Sequence, residues 1–150
     1  MPRAIHRYKR PESVLVVVYT QQGAILLMHR CEPRGFWQSV TGSLKWGESS
    51  RQAALREIFE ETGLQAGGSL VDWGKTVSFP IVGPWRRRYA PGVRLNREHW
   101  FGLCLSGRRR VRLNPDEHRE YRWLSLDRAI RLASSWTNRE ALLALVDRLR

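Results

Sequence analysis

The segment from Glu48 to Thr62 constrains the fold more than any other, because it predicts an α-helix with two unlike faces. Glu57, Glu60 and Glu61 stand at positions i, i+3 and i+4, which places three carboxylates on one side of a helix. Apolar side chains that can face a core occupy the other side, namely Ala54, Leu55, Ile58 and Phe59. The sequence therefore predicts a core-packed helix that carries a concentrated negative charge.

The ends of this helix and its charge also have physical explanations. Ser49 or Ser50 can cap its start, and Gly63 can take the left-handed conformation that ends many helices. Glu48 adds a fourth acid near the start, where the helix dipole favours it. Like charges at this spacing repel, and a divalent cation, Mg²⁺ with Mn²⁺ as a substitute, would relieve the repulsion. A solvated acidic face is the alternative interpretation of the three glutamates alone.

A wider pattern surrounds these acids and decides between the two interpretations. Its members are Gly42, Glu48, Arg56, Glu57, Ile58, Glu60, Glu61, Gly63 and Leu64. This spacing resembles the Nudix box at every position, and seven fixed residues would coincide by chance with a probability on the order of 10⁻⁸. The resemblance implies an α/β fold, the Nudix α/β/α sandwich with a mixed β-sheet, and metal-dependent cleavage of a diphosphate bond.

The same resemblance implies roles for the residues of the box. Glu57, Glu60 and Glu61 would be catalytic as metal ligands, and Arg56 would orient a glutamate through a charge-assisted, bidentate bond. A bound metal neutralises phosphate charge and turns water into a nucleophile near neutral pH. The group that acts as general base and the number of metal ions both stay open.

The rest of the chain predicts a single domain over residues 1–150, with strands and helices that form a covered mixed sheet. A hairpin is expected over 13–30, further strand-like stretches at 69–82, 93–105 and 121–124, and helices at 125–133 and 138–149. Pro80 would not fit a central strand, so 78–82 is expected to be an edge or irregular segment.

Composition narrows the class of protein. No apolar run reaches the ~18 residues that span a membrane, and the start of the chain has no signal-peptide pattern, so a cytoplasmic location is expected. Cys31 and Cys104 lie in apolar runs without metal-binding spacing, which predicts two reduced thiols in the core. No feature selects an oligomeric state.

The formal net charge of +12 indicates a polyanionic partner or a solvated basic surface. A small-molecule triphosphate, either a pterin or a nucleotide, fits such a field. The basic triplets 86–88 and 108–110 could receive it or remain surface charge. They also motivate a rival of another class, a nucleic-acid-binding module with a degenerate box. The intact box and the lack of RNP or KH signatures disfavour that rival.

Three stretches, 36–43, which runs into the start of the box, 88–93 and 135–139, resemble the bacterial Nudix branch that acts on dihydroneopterin triphosphate in folate biosynthesis. The resemblance implies hydrolysis to dihydroneopterin monophosphate and pyrophosphate. It also implies a fourth metal ligand, Glu117, because the acid of this branch stands immediately before a histidine. Other Nudix substrates remain alternatives: oxidised nucleoside triphosphates, dinucleoside polyphosphates and capped RNA ends.

A flat pterin needs an apolar wall and a few polar contacts. The candidates for the wall are Phe79, Ile81 and Trp37, and those for polar contacts are Lys9, Arg30, Thr41 and Ser135. Each residue has a simpler interpretation. Wall residues could belong to the core, the two basic residues to the surface, and Ser135 to a helix cap. The carbonyl of Thr41, just before the box, is a further candidate for a metal contact.

Overall fold

A computed structural model describes residues 7–149, so residues 1–6 and 150 of the expected domain lie outside the described range. The described residues form seven strands, which are β1 (Glu12–Thr20), β2 (Ile25–Arg30), β3 (Trp37–Gln38), β4 (Val40–Ser43), β5 (Leu70–Pro80), β6 (Leu95–Leu105) and β7 (His118–Leu124). They also form the helices α1 (Ser50–Thr62), α2 (Leu126–Leu132) and α3 (Trp136–Arg148), and the 3₁₀ turns Gly67–Ser69 and Gly83–Arg88. None of these helices is long and apolar enough to span a membrane.

The strands make one mixed sheet in the order β3-β2-β1-β6-β5, with β4 paired to β1 and β7 paired to β2. Central β1 runs parallel to β6 and antiparallel to β4. The hairpin expected over 13–30 is confirmed by the antiparallel pairing of β1 with β2, but among the described residues it is short, with Tyr19 and Ile25 as its paired positions. The first half of β1 pairs with β4 instead, and β2 pairs with β7 along its whole length.

Both faces of the sheet are covered, which confirms the predicted α/β/α sandwich. Alternate residues of β1 face opposite layers, as the period of two in a strand requires. Val14 and Val16 pack with Ile58 of α1, whereas Leu15 and Val17 pack with α2 and α3. The run predicted as a buried strand is therefore apolar throughout because it has a core on each side.

Helix α1 begins at Ser50, two residues later than expected, and its ends are built as the sequence predicts. Ser49 is the N-cap in a reciprocal capping box with Gln52, and Gly63 closes the helix at φ 76°. The expectation that Phe59 faces the core is wrong, since this ring is 45% exposed and lies under the Arg112 guanidinium at 5.6 Å. Two acids take the inward positions instead.

Two further expectations concern Pro80 and the cysteines. Strand β5 pairs only with β6 among residues 7–149, so the prediction that Pro80 lies in an edge segment is confirmed. Cys31 and Cys104 are free thiols, but their predicted core position is wrong because Cys31 is partly exposed and Cys104 is exposed. Cys104 shares the strand face of Trp100, but it lies one residue from the end of β6, where its side chain is exposed.

Candidate metal centre and substrate cavity

The inward acids of α1 form the centre of the candidate site. Glu61 is 1% exposed and Glu57 is 9% exposed, whereas the side chain of Glu60 is 47% exposed and lies 3.3 Å from Nη1 of Arg56. Oε1 of Glu61 has no hydrogen-bond partner among the described residues. A buried charged oxygen without a partner is costly, so this atom needs a ligand that the protein does not supply.

The start of β7 brings two more donors to Glu61. The ligand atoms of Glu61, Glu117 and His118 all lie within 4.8 Å of one another, and we call these three residues the acidic cluster. His118 Nε2 lies 4.0 Å from Glu61 Oε1 and 3.2 Å from the amide nitrogen of Gln38. Burial lowers the pKa of His118 to about 4, so the imidazole is neutral near pH 7 and can offer a lone pair.

Electrostatics at the cluster favours a cation. Burial raises the pKa of Glu61 well above its usual value, the neighbouring Glu57 and Glu117 add to this, and a backbone hydrogen bond from Thr41 opposes it. Burial also raises the pKa of Glu117, followed by repulsion from Glu57. Two buried or partly buried carboxylates whose charge is disfavoured, one of them with an oxygen that has no hydrogen-bond partner among the described residues, fit a hard divalent ion with oxygen ligands.

Gly42 lets the loop before α1 approach these acids. A Cβ built at this position would overlap the carboxyl group of Glu57. The loop backbone therefore lies directly against the carboxylate, which explains why the first position of the box is glycine. The requirement is for space, because Gly42 does not have a positive φ.

Arg56 ties the loop to the helix. Its Nε and Nη2 each donate to one oxygen of Glu48 at 2.8 Å, and Nη1 donates to Glu57 at 2.7 Å. Nη2 also donates to the carbonyl of Ser43 at 3.0 Å. The bidentate bond expected of Arg56 is thus made to Glu48, which lies before the helix. The hydrogen bond from Arg56 holds the pKa of Glu48 below its usual value.

A cavity of about 1100 Å³ opens beside the cluster. Glu57 and Glu117 line it, and so do six of the seven substrate-contact candidates of the sequence: Lys9, Arg30, Thr41, Phe79, Ile81 and Ser135. Ser135 is also the N-cap of α3, so its two interpretations are compatible. Trp37 belongs to the α2–α3 core instead, where its ring stacks on His29 at 4.7 Å.

Several residues that line the cavity were not predicted from the sequence. They are Phe36, Trp46, Trp85, Tyr89, Asn96 and Glu98. Asn96 and Glu98 left a signal that could have been used, since they alternate with Trp100 on the inward face of β6. Polar residues at inward positions of a strand indicate a cavity or a site. The aromatic residues left no comparable signal because they lie in loops or next to strand ends.

The two basic triplets lie at different positions relative to the cavities. Arg87 and Arg88 line a smaller pocket of about 670 Å³ that shares Lys9 with the main cavity. Burial lowers the pKa of Lys9, and the charges of Arg88 and Arg30 lower it further, so positive charge is concentrated there. The second triplet, 108–110, lies between β6 and β7 and lines neither of these cavities.

The layered fold, the buried carboxylates under a glycine loop and the basic cavity beside them define a class of metal-dependent enzymes that act on phosphate compounds. A profile of the NUDIX domain family matches residues 9–146. The chain belongs to this family, and the resemblance read from the box is confirmed.

Individual relatives narrow the comparison. The dihydroneopterin triphosphate diphosphatase of Escherichia coli (strain K12) is 44% identical over 139 residues, which cover 90% of this chain and 91% of that protein. A protein with the same name from Haemophilus influenzae is 34% identical over 148 residues, or 96% and 92% of the two chains. The solved E. coli dihydroneopterin triphosphate pyrophosphohydrolase has a TM-score of 0.86 at 43% identity, covering 94% of this chain and 98% of that one.

Proposed function

We propose that this protein hydrolyses dihydroneopterin triphosphate to dihydroneopterin monophosphate and pyrophosphate with Mg²⁺ as the metal, and that Mn²⁺ can replace it. The observation that carries the proposal is a single cavity that joins carboxylates to an aromatic chamber. Glu57 and Glu117 lie on its lining with Phe79 and Ile81. The relatives with this activity in their names cover nearly the whole chain.

The lining of the cavity has charged residues that suit the triphosphate and apolar residues that suit the pterin. Lys9 and Arg30 line it and can bind phosphate oxygens. Phe79, Ile81 and Tyr89 line it as well and can pack against a flat ring. We infer that the triphosphate lies along the basic and acidic residues and the pterin against the aromatic ones.

Glu57, Glu60, Glu61 and Glu117 would hold the metal, and the imidazole of His118 lies next to this set. When bound, the ion neutralises phosphate charge and lowers the pKa of a water molecule. Water adds to one phosphorus of the α–β anhydride, the bridging oxygen leaves with the other, and the released proton passes to a neighbouring carboxylate. Arg56 keeps Glu57 oriented through its 2.7 Å bond.

We also place this reaction in the cytoplasm, where the free thiols Cys31 and Cys104 would remain reduced. The substrate is a small-molecule triphosphate in this proposal, and the nucleic-acid-binding alternative receives no support. The Arg108–Arg110 segment lies outside the cavities, and the acidic cluster is intact.

A panel of substrates tests the proposal. Release of pyrophosphate from dihydroneopterin triphosphate, 8-oxo-dGTP and diadenosine polyphosphates is measured with Mg²⁺, with Mn²⁺ and with a chelator. We expect the highest kcat/KM for the pterin and no turnover with the chelator. Faster turnover of 8-oxo-dGTP or of a dinucleoside polyphosphate would assign the enzyme to another Nudix specificity.

A further inference from the structure

Two polar residues of strand β6 lie on the same strand face as a buried core residue and line the cavity. Trp100 is fully buried within the α2–α3 core, and Glu98 and Asn96 follow it at alternate positions. Glu98 is 4% exposed and Asn96 is 3% exposed, yet both line the cavity. Neither residue belongs to the Nudix box or to the acidic cluster. A carboxylate at this depth requires an explanation of its own.

The surroundings of Glu98 orient its carboxylate but do not neutralise it. The indole Nε1 of Trp100 donates to Oε1 at 3.0 Å, and the hydroxyl of Thr137 forms a second hydrogen bond. Within residues 7–149, Glu98 takes part in no ion pair, and burial raises its pKa above the usual value. A carboxylate offers about four acceptor positions, so two donors leave it with unused capacity.

Asn96 supplies a second acceptor on the same strand face. Its amide Nδ2 donates to the hydroxyl of Ser13 at 2.8 Å, which fixes the orientation of the group. Its Oδ1 is buried and has no partner among the described residues. Ser13 lines the cavity as well, and Phe79 is the cross-strand neighbour of Asn96. An acceptor without a donor, Asn96 Oδ1, and a carboxylate with spare acceptor capacity thus lie on the strand face that lines the cavity, near Phe79.

We propose that Glu98 and Asn96 bind the donor edge of a 2-amino-4-oxo pyrimidine ring, the N3–H and 2-amino groups of a pterin. Two parallel N–H donors match the two oxygens of a carboxylate, as a guanidinium group does. Guanine carries the same edge, so the chemistry selects pterin and guanine compounds against adenine, which lacks the paired donors. This inference rests on the proposed function and makes Glu98 a determinant of specificity.

Pterin and lumazine form a matched ligand pair for the test, because lumazine has a carbonyl where pterin has the 2-amino group. Binding of each free heterocycle is followed by its fluorescence in wild type, Glu98→Gln and the control Glu140→Gln. Glu140 is an exposed residue of α3, outside the cavity. Glutamine keeps the shape of the side chain and can still accept from Trp100, so the variant is expected to fold.

We expect wild type and Glu140→Gln to bind pterin about 10–100-fold more tightly than lumazine, the range for a hydrogen bond to a charged group. Glu98→Gln should lose most of this preference. An unchanged preference in Glu98→Gln, or equal or undetectable binding of both compounds by wild type, overturns the inference. The binding assay involves no phosphate, so hydrolysis of dihydroneopterin triphosphate by the same preparations reports separately on the proposed function.

Discussion

Replacing Glu61 by glutamine distinguishes two effects of its buried charge, which are the destabilisation of the metal-free fold and the binding of the metal. The carboxylate is 1% exposed, and Glu57 and Glu117 both raise its pKa, so the folded metal-free protein is destabilised by ionising it at neutral pH. Each unit by which a pKa is raised corresponds to about 1.4 kcal/mol. Glutamine removes that cost, and we expect metal-free Glu61→Gln to be at least as stable as wild type.

Magnesium should reverse this order. A ligand at 100 times its Kd stabilises the folded state by about 2.7 kcal/mol, which is roughly 5–11 °C in Tm for a domain of this size. Wild type should therefore gain several degrees on transfer from chelator to Mg²⁺, and Glu61→Gln should gain much less. Loss of several kcal/mol of transition-state stabilisation should lower kcat by about 10²–10³-fold.

Thermal unfolding in both buffers and steady-state turnover test these expectations, with Glu140→Gln as the control that removes an exposed charge. The explanation fails if Glu61→Gln unfolds far below wild type in chelator while showing the same magnesium shift. Wild-type kcat in this variant would remove Glu61 from the metal centre.

Three other changes test separate contacts. Gly42→Ala should lower kcat/KM by about 100-fold, because the new Cβ displaces the Glu57 carboxyl, whereas Gly68→Ala, with open space around it in the described structure, should be neutral. Arg56→Lys loses the planar fork that holds Glu48 and should cost about 10–100-fold in kcat/KM; unchanged activity would show that the fork is dispensable. Burial raises the pKa of Glu98, so its folded form holds a proton to higher pH than its unfolded form. As pH rises from the unfolded pKa of Glu98 to its folded pKa, the free energy of unfolding of metal-free wild type should therefore fall relative to that of Glu98→Gln. Urea unfolding across this pH range measures the difference, and a difference that stays constant would contradict the explanation.

Local sequence patterns were sufficient for the elements that depend on neighbours along the chain. Ser49, Gln52 and Gly63 define the ends of α1 by bonds within a few residues, and the capping and αL conformations follow from side-chain chemistry. The layered fold followed from the Nudix pattern. The edge position of Pro80 followed from its missing N–H.

The extent of strand pairing and the surroundings of individual side chains depended on contacts between segments that are distant in the sequence. The hairpin expected over 13–30 forms only near its turn, because β4 and β7 make more pairings with the same two strands than the strands make with each other. Phe59 was assigned to the core by its helical spacing and Trp37 to the substrate wall by its residue type, and neither lies there. Periodicity shows which residues share a face but does not show what that face meets.

The sequence by itself therefore determined the helix of carboxylates, its capped ends and the family to which they belong. The resemblance to the family also pointed to Glu117, whereas the tertiary structure alone decided that His118 meets Glu61 and that Asn96 and Glu98 line the cavity. The physical reason is distance along the chain. Contacts within one turn of helix are fixed by local geometry, whereas donors more than fifty residues apart come together only when the whole sheet has formed.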